Sequence, residues 1–201
     1  MKIAVLGASG HVGSAITAEL SRRGHDVTAI ARNVAALTSA PGVTPQAGDA
    51  SDPASLSPLL AGHDAVISAL HHDIGPAVLI AALKQAGVRR LLVTGGAGSL
   101  MTPNGRLIDQ PDFPAEFRPF AMKGVTFLEE LRQETDLDWS FLSPAAFIFD
   151  GPRTAKFRLG GTSLISDEKG QSAISYADYA VAMVDELEAA THSRQQFTVG
   201  Y

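Results

Sequence analysis

Ile3-Ala4-Val5-Leu6-Gly7-Ala8-Ser9-Gly10-His11-Val12-Gly13 decides the fold. Four apolar residues read as a buried strand, and Val12, Ile16 and Leu20 follow at helical spacing through Arg23. Gly24 supplies the helix stop. Between strand and helix lie three glycines spaced Gly-x-x-Gly-x-x-Gly. A glycine there permits a tight turn and lets backbone approach a pyrophosphate, and the helix N-terminus offers free N–H groups to an anion. A third glycine lets helix and sheet pack closely. Dinucleotide binding is therefore expected, with contacts from Gly7, Ser9, Gly10, His11 and Val12. The ordinary alternative is a tight turn without a ligand.

The rest of the chain repeats the alternation. Val27 to Ala31 is a second strand, and Val43 begins a third that ends near Ala47-Gly48-Asp49. Ser51-Asp52-Pro53 starts a helix, with Pro53 near its first position. Ala65 to Ser68, Arg90 to Thr94 and Asp138 to Leu142 read as further strands. Helices are expected over Pro76 to Ala86, stopped by Gly87, and over about Phe120 to Glu134 and Ser175 to Ala189. Ser175 is the expected N-cap, with Asp178 completing a capping box. Phe197 to Val199 is a last strand. Strands alternating with helices imply βαβ units, and continuous apolar runs imply a parallel sheet covered on both faces. Two stretches break the rhythm. Gly95 to Pro119 holds prolines at 103, 111, 114 and 119 and reads as a lid or binding loop. Pro144 to Gly161 reads as irregular.

Composition removes several functions. The 201 residues are 45% apolar and 18% charged, which fits a globular domain able to bury its own core. Sixteen basic against 21 acidic residues give −5, with no basic excess to attract nucleic acid. Absence of cysteine excludes disulfides, thiolate metal sites and a cysteine nucleophile. No run reaches about 18 apolar residues and no signal-peptide pattern is visible, so a cytoplasmic protein without a membrane segment is expected.

The end of the second strand selects between cofactors. Binders of NAD place an acidic residue there for the ribose hydroxyl. Here the sequence is Ala29-Ile30-Ala31-Arg32-Asn33. Arg32 suits a 2′-phosphate, so NADP(H) is preferred, with NAD(H) possible and Asn33 a further contact. Asp49, next to Ala50, either accepts from the adenine amino group or helps cap the next helix. Ser68, Ala69 and Leu70 are small or apolar residues that would let backbone lie against a ribose. His71 and His72 lack a set of further metal ligands, so solvated or loop-packing roles are expected and no metal.

With these residues placed, the whole chain resembles the atypical short-chain dehydrogenase/reductase superfamily. More narrowly it looks like the bacterial NADH-flavin reductase group, related to biliverdin reductase B and the NmrA-like proteins. Gly7-Ala8-Ser9-Gly10, Gly24 to Asn33, Leu91 to Leu100, Asp138 to Pro144, Ile174 to Ala180 and Phe197-Thr198-Val199 carry the resemblance. It implies a Rossmann-type, doubly wound, mostly parallel sheet with helices on both faces. It further implies that Thr94, Gly95 and Gly96, and Ser143 to Ala146 with Pro144 and Ala145, approach the nicotinamide half. Residues 1–201 are expected to form one domain, with a small substrate-side portion from about 143 to 201.

Many short-chain reductases use Tyr-x-x-x-Lys, in which the tyrosine donates a proton. None of Tyr176, Tyr179 and Tyr201 begins that motif, and Pro119 stands four residues before Lys123. Hydride transfer to a flavin or quinone asks less, because the acceptor is electrophilic and water can protonate it. The expected function is thus an NAD(P)H-dependent reductase of a small planar acceptor, with flavin a substrate rather than a bound cofactor. A non-catalytic dinucleotide sensor of the NmrA type is the alternative. Lys123 is a weak catalytic candidate that either holds the nicotinamide ribose or is solvated. Phe113, Phe117, Phe120 and Phe147 are either an acceptor wall or ordinary packing. Oligomeric state, monomer or homodimer, is left open.

Overall fold

Ile3, Ala4, Val5 and Leu6 are all buried, so their strand needs cover on both faces. The computed structural model, which describes residues 1–37 and 39–201, supplies it. The elements run β1 (Lys2–Leu6), α1 (His11–Arg22), β2 (Asp26–Ala31), β3 (Val43–Ala47), α2 (Pro53–Leu60), β4 (Ala65–Ser68), α3 (Pro76–Ala86) and β5 (Arg90–Thr94). A small hairpin follows, β6 (Met101–Thr102) with β7 (Gly105–Arg106). Then come α4 (Arg118–Leu131), β8 (Asp138–Pro144), β9 (Phe147–Phe149), β10 (Arg158–Gly160), β11 (Ala173–Ser175), α5 (Tyr176–Ala189) and β12 (Gln195–Gly200).

The main sheet has the order β10-β12-β8-β5-β4-β1-β2-β3. All its pairings are parallel except β10 with β12. The chain winds outward in both directions from β1 and β4, and a crevice opens at such a reversal. Alternation divides the core. Ile3 and Val5 pack with Ile16 and Leu20 of α1 and Tyr179 and Met183 of α5. Ala4 and Leu6 pack on the other face with Leu56, Leu79 and Leu128 of α2, α3 and α4. This is the doubly wound arrangement expected from the sequence.

Local chemistry sets the boundaries. Asp52 caps α2 by accepting from Ala54 N and Ser55 N at 3.2 and 3.1 Å, with Pro53 in the first turn. Gly87 ends α3 in the left-handed region, at φ 72°.

Three expectations need correction. The stretch from Gly95 to Pro119 contains the β6–β7 hairpin and two 3-10 turns, and α4 starts at Arg118 with Pro119 inside its first turn. A proline is tolerated there because that N–H has no intrahelical partner. The stretch from Pro144 to Gly161 is not wholly irregular, since β9 pairs with β11 and β10 with β12. Ser175 does cap α5, accepting from Asp178 N at 3.0 Å, but Asp178 does not reach back. Its carboxylate accepts from Thr154 N, Ala155 N and the Tyr201 hydroxyl, at 2.8, 2.7 and 2.8 Å. Three partners distant in sequence have replaced one local one.

Two buried carboxylates tie the C-terminal portion down. Glu186 in α5 accepts from Ser140 Oγ and Arg90 Nη2, both at 2.8 Å, and from His192 N at 3.0 Å. Burial would raise its carboxyl, but hydrogen bonds from His192, Thr191 and Ser140 prevail and hold it down at about 2. Glu19 in α1 receives Arg153 Nε and Nη2 at 2.8 and 2.9 Å. The Arg153 hydrogen bond, against burial and with Arg23 beside it, brings Glu19 to about 2.

Candidate active site at the strand ends

The three glycines of the first turn do different jobs. Gly7 has φ +74°, and a Cβ on it would stand 2.6 Å from Ala69 O at the end of β4. A Cβ on Gly13 would stand 2.2 Å from Gly7 O, so α1 could not pack as it does. Gly10 is different. Its φ is −78°, open to any residue, and a Cβ would meet only Gly7 O at 3.5 Å. No described atom of the chain requires a glycine there. What the missing side chain leaves is open backbone at the N-terminus of a twelve-residue helix.

Gly10 faces a cleft of about 530 Å³. Gly7, Ser9 and Gly10 line its glycine-turn side, and Ile30, Ala31 and Arg32 its second-strand side. Gly48, Asp49, Ala50 and Ser51 close the outer end, while Ala69, Leu70, His71, Asp73 and Ile74 form the opposite wall. Of the expected contacts, Gly7, Ser9, Gly10, Arg32, Asp49, Ala50, Ala69 and Leu70 are thus gathered around one space. Asp49 does not cap α2. It accepts from Ser51 N at 3.0 Å, and that contact, with the Arg32 charge a smaller cause, holds its carboxyl below the usual range.

Other expected residues stand elsewhere. The His11 ring stacks on Tyr176 at 5.5 Å and lines a separate cavity of about 360 Å³ between α1 and α5. Val12 packs against the core cluster beneath α1. Asn33 spends its side-chain oxygen on Ala35 N, capping a 3-10 turn. Ser68 is buried within the sheet. Lys123 pairs with Asp73 and lines a third cavity, about 370 Å³, between α3 and α4.

The parallel strands β1, β4, β5 and β8 are consecutive, so Gly7, Ala69, Gly95 and Ala145 leave the sheet at one edge. Thr94, Gly95, Gly96, Pro144 and Ala145 therefore follow on from the cleft beyond β4. Gly95 N donates to Leu142 O at 2.7 Å. A Cβ on Gly95 would stand 2.2 Å from the Phe141 ring, whereas Gly96 has open space around it. Behind Phe141 sits His72, its ring 6.0 Å from Phe141 and 5.0 Å from Phe127. Burial pushes the His72 imidazole pKa down. The two adjacent histidines part: His71 lines the cleft and His72 packs inward. No group of three or more potential metal ligands occurs among the described residues.

Sequence reading did not single out Ser51, Asp73 or Ile74 for the cleft. No local pattern marks them, because the β4–α3 turn brings the last two there. The tyrosines are all engaged. Tyr179 is fully buried, donates to Leu142 O at 2.6 Å and has its phenol pKa raised by burial. The Tyr201 hydroxyl donates to Asp178, and Tyr176 stacks on His11.

Residues 7–190 match the model of a family described as NAD(P)H-binding. The chain belongs to that family. YwnB of Bacillus subtilis, an uncharacterized protein, is 43% identical over 99% of this chain and 98% of its own. A crystal structure of a "putative NADH-flavin reductase" from Streptococcus pneumoniae is 39% identical, covers 100% of this chain and 99% of that one, and has a TM-score of 0.85. A "putative epimerase" from Bacteroides thetaiotaomicron is equally identical, with coverage of 100% and 96% and a TM-score of 0.94. The resemblance to atypical short-chain dehydrogenases/reductases stands with these matches. No helix among the described residues is long and apolar enough to cross a membrane.

Proposed function

We propose that this NAD(P)H-binding chain is an NADPH-dependent reductase of a planar acceptor such as free flavin or a quinone. The observation that carries the reading is Gly10, a glycine open to a large cleft at a helix N-terminus, where no described atom would obstruct a side chain. A pyrophosphate fits there, where backbone N–H groups and the helix dipole favour an anion. Arg32 at the end of β2, where the sequence has no Asp or Glu, favours a ribose 2′-phosphate. When bound, the nicotinamide supplies the hydride. The chain's part is to orient it along Thr94 to Gly96 and to hold an acceptor against it.

Phe147 supports the acceptor half of the reading. It lies three residues beyond Pro144 and is 63% exposed. Its ring stacks on Phe149 at 5.7 Å with 9° between planes. An exposed, backed aromatic face suits a flat substrate. A "putative NADH-flavin reductase" among the relatives agrees with this class.

Purified protein, NADPH and FMN, then NADPH and menadione, should consume NADPH faster than the mixtures without protein. Arg32→Ala should weaken NADPH about tenfold, the effect of losing one charge-assisted contact, and leave NADH unchanged. No turnover across an acceptor panel despite NADPH binding would sink the reductase reading. It would leave a dinucleotide sensor.

A further inference from the structure

Five of the six histidines are committed to their neighbours. His25, His63 and His192 bond Glu188, Thr28 and Glu186 at 2.9, 2.8 and 2.7 Å. His11 stacks on Tyr176, and His72 packs against Phe127 and Phe141. His71 is the sixth. It stands exposed on the cleft wall, in the turn between β4 and α3.

That turn leaves the sheet flush against the glycine turn. Ala69 N donates to Leu6 O at 2.9 Å. A Cβ on Gly7 would stand 2.6 Å from Ala69 O and 3.2 Å from Leu70 N. Ala69, Leu70 and His71 thus carry the cleft wall onward from Gly7. The charges around this space are unbalanced for a dinucleotide. Among the described lining residues Arg32, at the end of β2, is the one permanent cation, against Asp49 after β3 and Asp73 in the turn itself. Lys123 of α4 answers Asp73 from the cavity beyond. Its hydrogen bond and charge, with His71 a smaller cause, hold the Asp73 carboxyl below the usual range. Burial disfavours the charged form of His72, the next residue in the turn. With Arg32 on the 2′-phosphate, a pyrophosphate would meet only backbone N–H groups and the helix dipole. Among the described residues of the cleft, His71 is the side chain able to gain a positive charge near neutral pH.

We infer that His71 is a titratable phosphate contact: its ring takes a proton from solvent as the dinucleotide binds, and the imidazolium pairs with the pyrophosphate. This rests on the NADPH reading above. Affinity gained this way is fully present in acid, where the ring is charged beforehand, and fades as pH rises.

Calorimetry of NADP⁺ binding between about pH 6 and pH 8 tests it, because a histidine charges across that range. The 2′-phosphate titrates there as well. The parent is therefore set against His71→Gln, in which the ligand's own titration is the same. At about pH 6 the parent should bind NADP⁺ about fivefold more tightly than His71→Gln, the upper range of an exposed ion pair. At about pH 8 the two should bind alike. Paired buffers of different ionisation enthalpy should show the parent taking up more proton per site than His71→Gln at neutral pH. His71→Lys keeps its charge throughout. It should bind as the parent does at the acid end and hold that advantage over His71→Gln at the alkaline end. Equal pH profiles for the parent and His71→Gln would overturn the inference, as would a His71→Lys affinity that falls away with the parent's. A parent chain that binds neither NADP⁺ nor NADPH overturns the reductase reading and this inference together. A parent that binds both with the pH profile of His71→Gln overturns this inference alone.

Discussion

At the glycine turn the cleft is made of backbone. Gly7 turns in the left-handed region, Gly13 lies under Gly7 O, and Gly10 is left open. Beyond β5 and β8 the molecule is made of side-chain pairs between residues far apart in sequence: Arg153 with Glu19, Asp178 with Thr154, Lys123 with Asp73. The first construction is fixed by backbone sterics within a few residues, and on the proposed reading it receives the pyrophosphate. The second depends on side chains that only the fold brings together.

The sharpest way to break this contrast is within the glycines. Gly13→Ala drives a Cβ into backbone that cannot rotate aside, so the protein should lose about 3 kcal/mol or fail to fold. Gly10→Ala should melt only slightly below the parent, Ala being a poorer N-cap than Gly, yet bind NADPH at least about tenfold more weakly, some 1.4 kcal/mol. Melting curves with and without NADPH read both. Equal melting temperatures for the two variants would mean that the glycines are not divided as the geometry says.

Acid tests the second construction. The Glu19 and Glu186 carboxyls are lowered from 4.5 to about 2 in the fold. A lowered carboxyl stabilises the fold fully above its unfolded pKa and loses that contribution as pH falls toward the folded one. Stability should thus decline from about pH 4.5 toward pH 2. Glu186→Gln should cost about 2 kcal/mol at pH 7, since Arg90 loses a buried partner, and should flatten the acid limb of melting temperature against pH. An unchanged acid limb would remove Glu186 from the account.

Phe147→Ala should have the smallest effect. An exposed side chain that only stacks on its neighbour changes stability by under about 0.5 kcal/mol. The acceptor KM should rise several-fold while NADPH affinity stays put, so steady-state kinetics with each substrate varied in turn separates the two ends of the cleft. A shift in NADPH affinity instead would place Phe147 on the cofactor side.

Sequence reading served the two regions unequally. The main-sheet strands from Ile3 to Leu142 and the glycine turn were legible because their signals are local: apolar runs, a glycine at a strand end, Pro53 and Gly87 at helix ends. Arg32 and Asp49 were legible through their place after a strand. Asp73 was not, because nothing within four residues of it foretells Lys123. The side-chain partners of His11 and Asn33 were not legible for a related reason. Their backbone positions follow the turn, but Tyr176 and Ala35 N take their side chains. Asp178 had the spacing of a capping box, yet the 150–157 segment offered it closer donors.

The sequence by itself determined the alternation of strands and helices, the covered parallel sheet and the glycine turn between β1 and α1. Each follows from steric and hydrophobic preferences acting within a few residues. Only the tertiary structure decided that Gly10 is free of its neighbours, that Lys123 is held by Asp73 and that Phe147 stands exposed on Phe149. Those are distances between atoms brought together by the fold, and separation along the chain carries no measure of them.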